Sequence, residues 1–218
     1  MAMPATHIRF AAALSEHLSV TDMAAYLSGT LYPDSRWMTG LDREHTHDRQ
    51  FLEPDFATDD FRLGWHIHCV CDHIQGDIHN DLLGNLSQLP PDERWIRLSA
   101  AKAVQDANDA ARGEMSNHLS LLTDNRTPNG ESVQGVNAYL ELVGRVYSRN
   151  VPPVWSDYAA LWAGVGLDRQ RISRIDKQVG RIMGDEALVN NLYDAYQQMV
   201  YRWRQPTVVA KRAQRRWK

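Results

Sequence analysis

The residues most able to bind a metal ion gather at the beginning of this 218-residue chain. Eight of its nine histidines precede residue 80: His7, His17, His45, His47, His66, His68, His73 and His79. His68 and Asp72 are four apart in a stretch with helical periodicity, so their side chains project from one helix face about 6 Å apart. Imidazole nitrogen and carboxylate oxygen are ligands that zinc and other divalent ions take in proteins. This pair predicts part of a metal site.

Two residues do not complete the shell of three or four protein ligands that such an ion needs. The missing ligands can come from Asp34, from Glu44-His45-Thr46-His47-Asp48 in a polar stretch, or from His7 on the first predicted helix. His79 lies about three turns beyond His68, too far along the helix for the same ion but within reach of a second one. A catalytic ion in this site would lower the pKa of a bound water and polarise a phosphoryl or carbonyl oxygen.

Helical periodicity extends over most of the chain, and no segment shows the alternation expected of a strand. We interpret residues 29–54 as a long irregular connection, because Pro33, Gly40 and Pro54 interrupt the periodicity. The prediction is an all-α, single-domain bundle of seven to nine helices over residues 1–205, followed by a basic tail at 206–218. The predicted helices cover roughly residues 5–18, 21–27, 58–82, 91–113, 133–147, 154–163, 168–183 and 186–203.

The composition is that of a folded globular protein, with 43% hydrophobic residues, 23% charged residues and a net charge of -3. Cys69 and Cys71 are too few and too closely spaced for a disulfide framework, so we expect buried thiols and a cytoplasmic location. We expect neither export nor a membrane span, because no signal-like segment and no long apolar run occur. The near-neutral charge gives no general reason for a nucleic-acid partner, although the basic end could bind a single strand.

In chain order, His7, Pro33-Asp34, His45 or His47, and Gly64-Trp-His-Ile-His68-Cys-Val-Cys-Asp72 resemble the zinc-dependent phospholipase C family and the related single-strand nucleases. The resemblance implies an all-α hydrolase whose main metal ligands are Asp34, one of His45 or His47, His68 and Asp72, with His7 on a neighbouring ion. It implies zinc as the cofactor, and the ligand types leave manganese or iron as alternatives. The implied substrate is a phosphoester, either a small molecule or a lipid headgroup.

The sequence therefore predicts a metal-dependent hydrolase that cleaves a phosphoester through a metal-activated water. Asp48 and Glu44, beside the ligands of the polar stretch, are candidates to orient them or to accept a proton.

Two alternatives stay open. His47-Asp48 is the doublet of HD-type phosphohydrolases, which are all-α metal enzymes, but residues 43–50 are polar whereas that doublet lies in an apolar helix. The other alternative is a non-enzymatic helical protein whose histidines are structural or bind a partner. Burial of His68 and Asp72 without solvent access would favour the latter, whereas an enzyme needs an open coordination position in a pocket.

Overall fold

Helices form the whole framework in the computed structural model, which describes residues 3–84, 86–113 and 115–205. The α-helices are α1 (Pro4–Leu14), α2 (Met23–Leu31), α3 (Arg36–Thr39), α4 (Glu44–His47), α5 (Asp60–Leu83), α6 (Pro91–Arg112), α7 (Met115–Leu119), α8 (Val133–Arg149), α9 (Trp155–Gly164), α10 (Arg169–Met183) and α11 (Glu186–Arg204). Short 3-10 helices occupy Tyr32–Ser35, Arg49–Leu52, Pro54–Phe56 and Leu86–Gln88. These ranges contain no strand, and the predicted all-α, single-domain multi-helix bundle is confirmed.

Local capping sets where many of the helices begin. Five helices are preceded by a residue whose side chain accepts a backbone N–H of the first turn: Asp22, Asp59, Ser132, Asp168 and Asp185. The residue before α1 is Met3, which has no side-chain acceptor. The Thr6 N–H of α1 donates instead to Asp106 of α6, at 2.8 Å. The helix that carries His7 is therefore capped by a different helix.

The long helix α5 lies at the centre and packs against α2, α11, α1 and α6. It approaches α2 very closely at two glycines. A methyl group on Gly64 would lie 1.9 Å from the Tyr26 carbonyl oxygen, and one on Gly29 would lie 2.0 Å from the Phe61 carbonyl oxygen. Only a hydrogen atom fits at either position, and the close crossing brings Thr30 against α5.

The segment between α2 and α5 differs from the irregular connection predicted for residues 29–54. Helix α2 continues to Leu31, and short α- and 3-10 helices occupy much of residues 32–56. Pro33 and Pro54 do not interrupt helical structure as predicted. They lie in the first turn of two of these short helices. Proline is well suited to that position because its fixed φ matches a helix and its missing N–H would have no partner there.

Side chains of α5 hold this segment in place. The Trp65 indole N–H donates to the Thr46 carbonyl at 2.8 Å, and His66 Nδ1 lies 2.8 Å from the Phe51 carbonyl oxygen.

No helix in the described part of the chain has the length and apolar character needed to cross a membrane. The predicted basic tail, 206–218, lies outside the described residues, so the boundary at 205 stays a prediction.

Candidate metal centre

Three side chains from separate elements converge inside the bundle. Asp34 comes from the 3-10 helix after α2, His47 is the last residue of α4, and His68 lies on α5. One ligand atom from each lies within 4.8 Å of the other two. Two ligands of the same zinc ion stand roughly 3 to 4 Å apart, so these three residues can share one divalent ion after small side-chain movements.

Hydrogen bonds fix the tautomer of His68 and are compatible with a metal-binding tautomer of His47. His68 Nδ1 lies 2.8 Å from the Thr30 carbonyl oxygen, which can only accept, so Nδ1 donates and Nε2 presents its lone pair. His47 Nδ1 lies 2.7 Å from the Thr46 hydroxyl, which can accept its proton while donating to the Arg43 carbonyl at 3.4 Å. The two Nε2 atoms are 3.2 Å apart. Both can bind the same ion in this tautomeric arrangement.

Asp72 adds a second carboxylate, one turn beyond His68. Its Oδ2 lies 3.7 Å from His47 Nε2, while its Oδ1 accepts a hydrogen bond from Lys102 Nζ at 2.7 Å. On the other side, Asp34 Oδ1 lies 3.9 Å from His47 Nε2. The structure thus brings together two carboxylates and two imidazoles, all of them predicted ligands.

His7 lies against this cluster. Its ring stacks on His68, with centroids 4.1 Å apart and planes inclined by 15°. Its Nε2 lies 3.6 Å from Asp72 Oδ1, which is longer than a hydrogen bond. Both ring nitrogens are buried and have no hydrogen-bond partner among the described residues. Buried polar groups are normally satisfied, so an orphaned imidazole in contact with this ligand set fits a centre that takes an ion.

The surroundings favour the protonation states that a divalent ion requires. Burial lowers the pKa of His47 to about 4, although Asp34 and Asp72 oppose the shift. Burial also holds the pKa of His68 well below its ordinary value. Burial acts to raise the pKa of Asp72, but the charge of Lys102, together with His7 and His68, holds that pKa well below its ordinary value. Neutral imidazoles and an ionised carboxylate are the metal-binding forms of these groups.

The cluster is almost entirely buried and keeps a small exposure at one edge. His68 is fully buried, and the side chains of Asp34 and His47 are nearly so. The side chains of Asp72 and Lys102 keep 14% and 11% of their exposure. The residual exposure of the cluster therefore lies at the edge where Asp72 meets Lys102.

Glu44, His45 and Asp48, the other residues predicted from the polar stretch, are exposed and do not join the cluster. They line a surface pocket of about 360 Å³ together with Trp65 and other residues. Asp48 accepts the Gln50 N–H at 2.9 Å and so caps the 3-10 helix that follows. The cluster contains His47 and not His45, and the catalytic roles of Glu44 and Asp48 stay predictions.

Helix α6 supports the centre through residues that the sequence interpretation missed. Lys102, Gln105, Asp106 and Asp109 recur at helical spacing and are all buried. Lys102 holds Asp72, and Gln105 lies 2.7 Å from His79 Nε2. The available signal was this polar stripe, which includes one of only four lysines in the chain.

Asp106 and Asp109 fix the first turn of α1. Asp106 accepts the Thr6 N–H, and Asp109 accepts the Thr6 hydroxyl at 2.8 Å and the Arg9 guanidinium at 2.6 Å. These bonds flank His7 on both sides in the sequence. They hold the backbone from which the imidazole reaches His68.

Comparison of the chain with protein-family models, with curated proteins and with solved structures found no match. The resemblance to the zinc-dependent phospholipase C family therefore stays a prediction. Both cysteines are free and buried, in agreement with the expectation from their spacing.

Proposed function

We propose that this protein is a metal-dependent hydrolase that cleaves a phosphoester, with zinc as the first candidate ion and manganese or iron as alternatives. The observation that carries the proposal is the convergence of Asp34, His47 and His68, with the two histidine Nε2 atoms 3.2 Å apart. Asp72 completes a set of nitrogen and oxygen ligands that suits these ions.

The chain's own residues build the site and limit access to it. The Thr30 carbonyl and the Thr46 hydroxyl orient the imidazoles of His68 and His47. A divalent ion bound there supplies Lewis acidity, which activates water and stabilises negative charge on a phosphoryl oxygen. Near-complete burial keeps bulk water from the ligands, and the edge at Asp72 admits the reacting group.

Cationic side chains around the centre favour an anionic substrate. Lys102 lies at the open edge. The pKa of Arg36 is lowered, chiefly by partial burial, and its guanidinium is close enough to Asp34, Asp72 and Arg43 to feel their charges. Lysine and arginine are the side chains that bind phosphate groups in proteins.

The substrate in this proposal is a small phosphoester or a lipid headgroup. Single-stranded nucleic acid is the less favoured partner, because the net charge of -3 gives no general reason for one. The proposal places the protein in the cytoplasm, where the free thiols of Cys69 and Cys71 would stay reduced.

Hydrolysis of p-nitrophenyl phosphate and bis(p-nitrophenyl) phosphate by metal-loaded protein tests the function. His47→Ala and His45→Ala remove one imidazole each from α4 and form a matched pair. We expect the wild type and His45→Ala to cleave one of the esters, and we expect His47→Ala to lose about 100-fold or more in rate because it loses a ligand. A chelator should abolish the activity, and added metal should restore it.

The proposal fails if His47→Ala keeps the wild-type rate. It also fails if the wild type, supplied with zinc, manganese or iron, cleaves neither ester. The near-complete burial of the ligands supports a second candidate for that outcome, a structural ion in a non-enzymatic helical protein. That candidate predicts tight metal binding without cleavage, and a large loss of stability when the metal is removed.

A further inference from the structure

Lys102 contacts the candidate centre directly, yet it cannot be a metal ligand while it is protonated. Its Nζ lies 2.7 Å from Asp72 Oδ1, and the residue is only 9% exposed. Burying an ammonium group costs free energy unless a partner compensates for it. Asp72 is that partner, and its other oxygen remains directed toward His47.

The charges of the centre do not cancel once a divalent ion is bound. Asp34 and Asp72 carry two negative charges, which the ion neutralises. Lys102 then leaves one positive charge at the open edge. A charge in this mostly buried setting acts more strongly than it would in bulk water, because the local dielectric constant is lower. An anionic group that enters at this edge would restore neutrality.

The donors of Lys102 are also placed for such a group. A lysine ammonium has three N–H donors, and Asp72 accepts one of them. No other hydrogen bond from Lys102 is formed within the described parts of the chain. Two N–H donors therefore have no acceptor among the described residues, on a side chain that keeps 11% of its exposure.

We propose that Lys102 binds the phosphate group of the substrate at the open edge of the centre. The inference rests on the proposed function and names its substrate class, a phosphate ester that carries net negative charge. A soluble phosphate ester and a lipid headgroup share this chemistry. Lys102 is then a binding residue for the anion, and Asp72 both holds it in place and faces the ion.

Binding of inorganic phosphate to the zinc-loaded protein, measured by titration calorimetry, tests the inference. The variants are Lys102→Gln, Lys102→Arg and the matched control Lys177→Gln, which makes the same change in net charge at an exposed position of α10. We expect Lys102→Gln to weaken phosphate binding about tenfold or more, because a charge-assisted hydrogen bond is lost. Lys102→Arg keeps the positive charge and should bind phosphate more tightly than Lys102→Gln, and Lys177→Gln should not differ from the wild type.

The zinc content of every sample is measured first, so that failure of the inference and failure of the proposed function are distinguishable. A wild type that binds no metal contradicts the proposed function. A zinc-loaded Lys102→Gln that binds phosphate as tightly as the wild type overturns the role of Lys102. A zinc-loaded wild type that binds no phosphate overturns it as well.

A measurement on the wild type keeps the inference testable if Lys102→Gln does not fold. With isotope-labelled lysine, the four lysines of the chain give few side-chain resonances, and the one missing from Lys102→Arg belongs to Lys102. That resonance should shift when phosphate is added to zinc-loaded protein, and an unmoved resonance overturns the inference.

Competition identifies the source of the phosphate group. We expect bound phosphate to be displaced either by soluble phosphoserine or by vesicles that contain phosphatidic acid, and we expect the competitor's own binding to depend on Lys102. If neither competitor displaces the bound phosphate, the inference is overturned.

Discussion

Asp106 is a single residue on which the position of α1 depends. Its carboxyl is fully buried and accepts hydrogen bonds from the Thr6 N–H at 2.8 Å, the Tyr147 hydroxyl at 2.7 Å and the Tyr158 hydroxyl at 2.8 Å. Burial raises its pKa to about 7, although these hydrogen bonds act in the opposite direction. Since His7 follows Thr6 directly, the ionisation of Asp106 bears on the backbone that carries a candidate ligand.

The raised pKa of Asp106 predicts a pH-dependent stability. The protonated carboxyl is favoured in the folded state, so its stabilising contribution is complete below the unfolded pKa of about 4 and is lost as the pH rises through about 7. We expect the free energy of unfolding of the wild type to fall by about 2 to 3 kcal/mol relative to Asp106→Asn between about pH 5 and pH 8. Urea denaturation of both proteins measures this difference. A difference that does not vary with pH would contradict the assignment.

At the scale of residues, the sequence identified candidate ligands by their side-chain type and their spacing. His68 and Asp72 were predicted from their spacing on one helix face, and Asp34 was one of several candidate carboxylates that the family resemblance selected. The choice between His45 and His47 could not be made from the sequence. It depends on how α4 docks through the Thr46 carbonyl onto Trp65, which is a tertiary contact.

The crossing of α2 and α5 is the contact between elements that matters most for the centre. It places the Thr30 carbonyl on His68 Nδ1 and thereby fixes which nitrogen of His68 faces the ion. Gly64 makes the crossing possible because its Cα meets the backbone of α2 without a side chain. A substitution there acts on the fold and on the site together.

We therefore expect Gly64→Ala to destabilise the protein by roughly 3 kcal/mol or more and to weaken zinc binding. The added methyl would lie 1.9 Å from the Tyr26 carbonyl oxygen and 2.8 Å from the Thr30 nitrogen, and backbone atoms cannot rotate away. Gly76→Ala is the matched control on the same helix, with nothing within 4 Å of the new methyl. It should stabilise the protein by about 0.5 to 1 kcal/mol. Thermal denaturation followed by circular dichroism compares the two, and equal stabilities would contradict the close crossing.

At the scale of elements, the long helices were predictable because their signals are local. Asp59 before α5 and the Pro91 turn of α6 mark helix starts in the sequence itself. The short helices of residues 32–56 were not predictable. They contain only three or four residues each and are held by contacts from α5, which no local pattern reports.

The molecule as a whole has a core that does not depend on an ion. Apolar side chains from nearly all the long helices form one continuous buried cluster in the described residues. The candidate centre lies where α1, α2, α4, α5 and α6 meet, and its ligands come from α1, α4, α5 and the 3-10 helix that follows α2. Removing a ligand should therefore remove the metal and leave the helices folded.

Elemental analysis of the purified protein by plasma mass spectrometry tests the central claim most directly. The comparison includes the wild type, His68→Ala, and His73→Ala as the matched control, since His73 is exposed on the same helix. After dialysis against clean buffer, we predict about one equivalent or more of zinc, manganese or iron in the wild type and in His73→Ala. His68→Ala should hold none while keeping its helical circular dichroism. A wild type that holds no metal and binds none when divalent ions are added, or a His68→Ala variant that retains the wild-type content, would contradict the account.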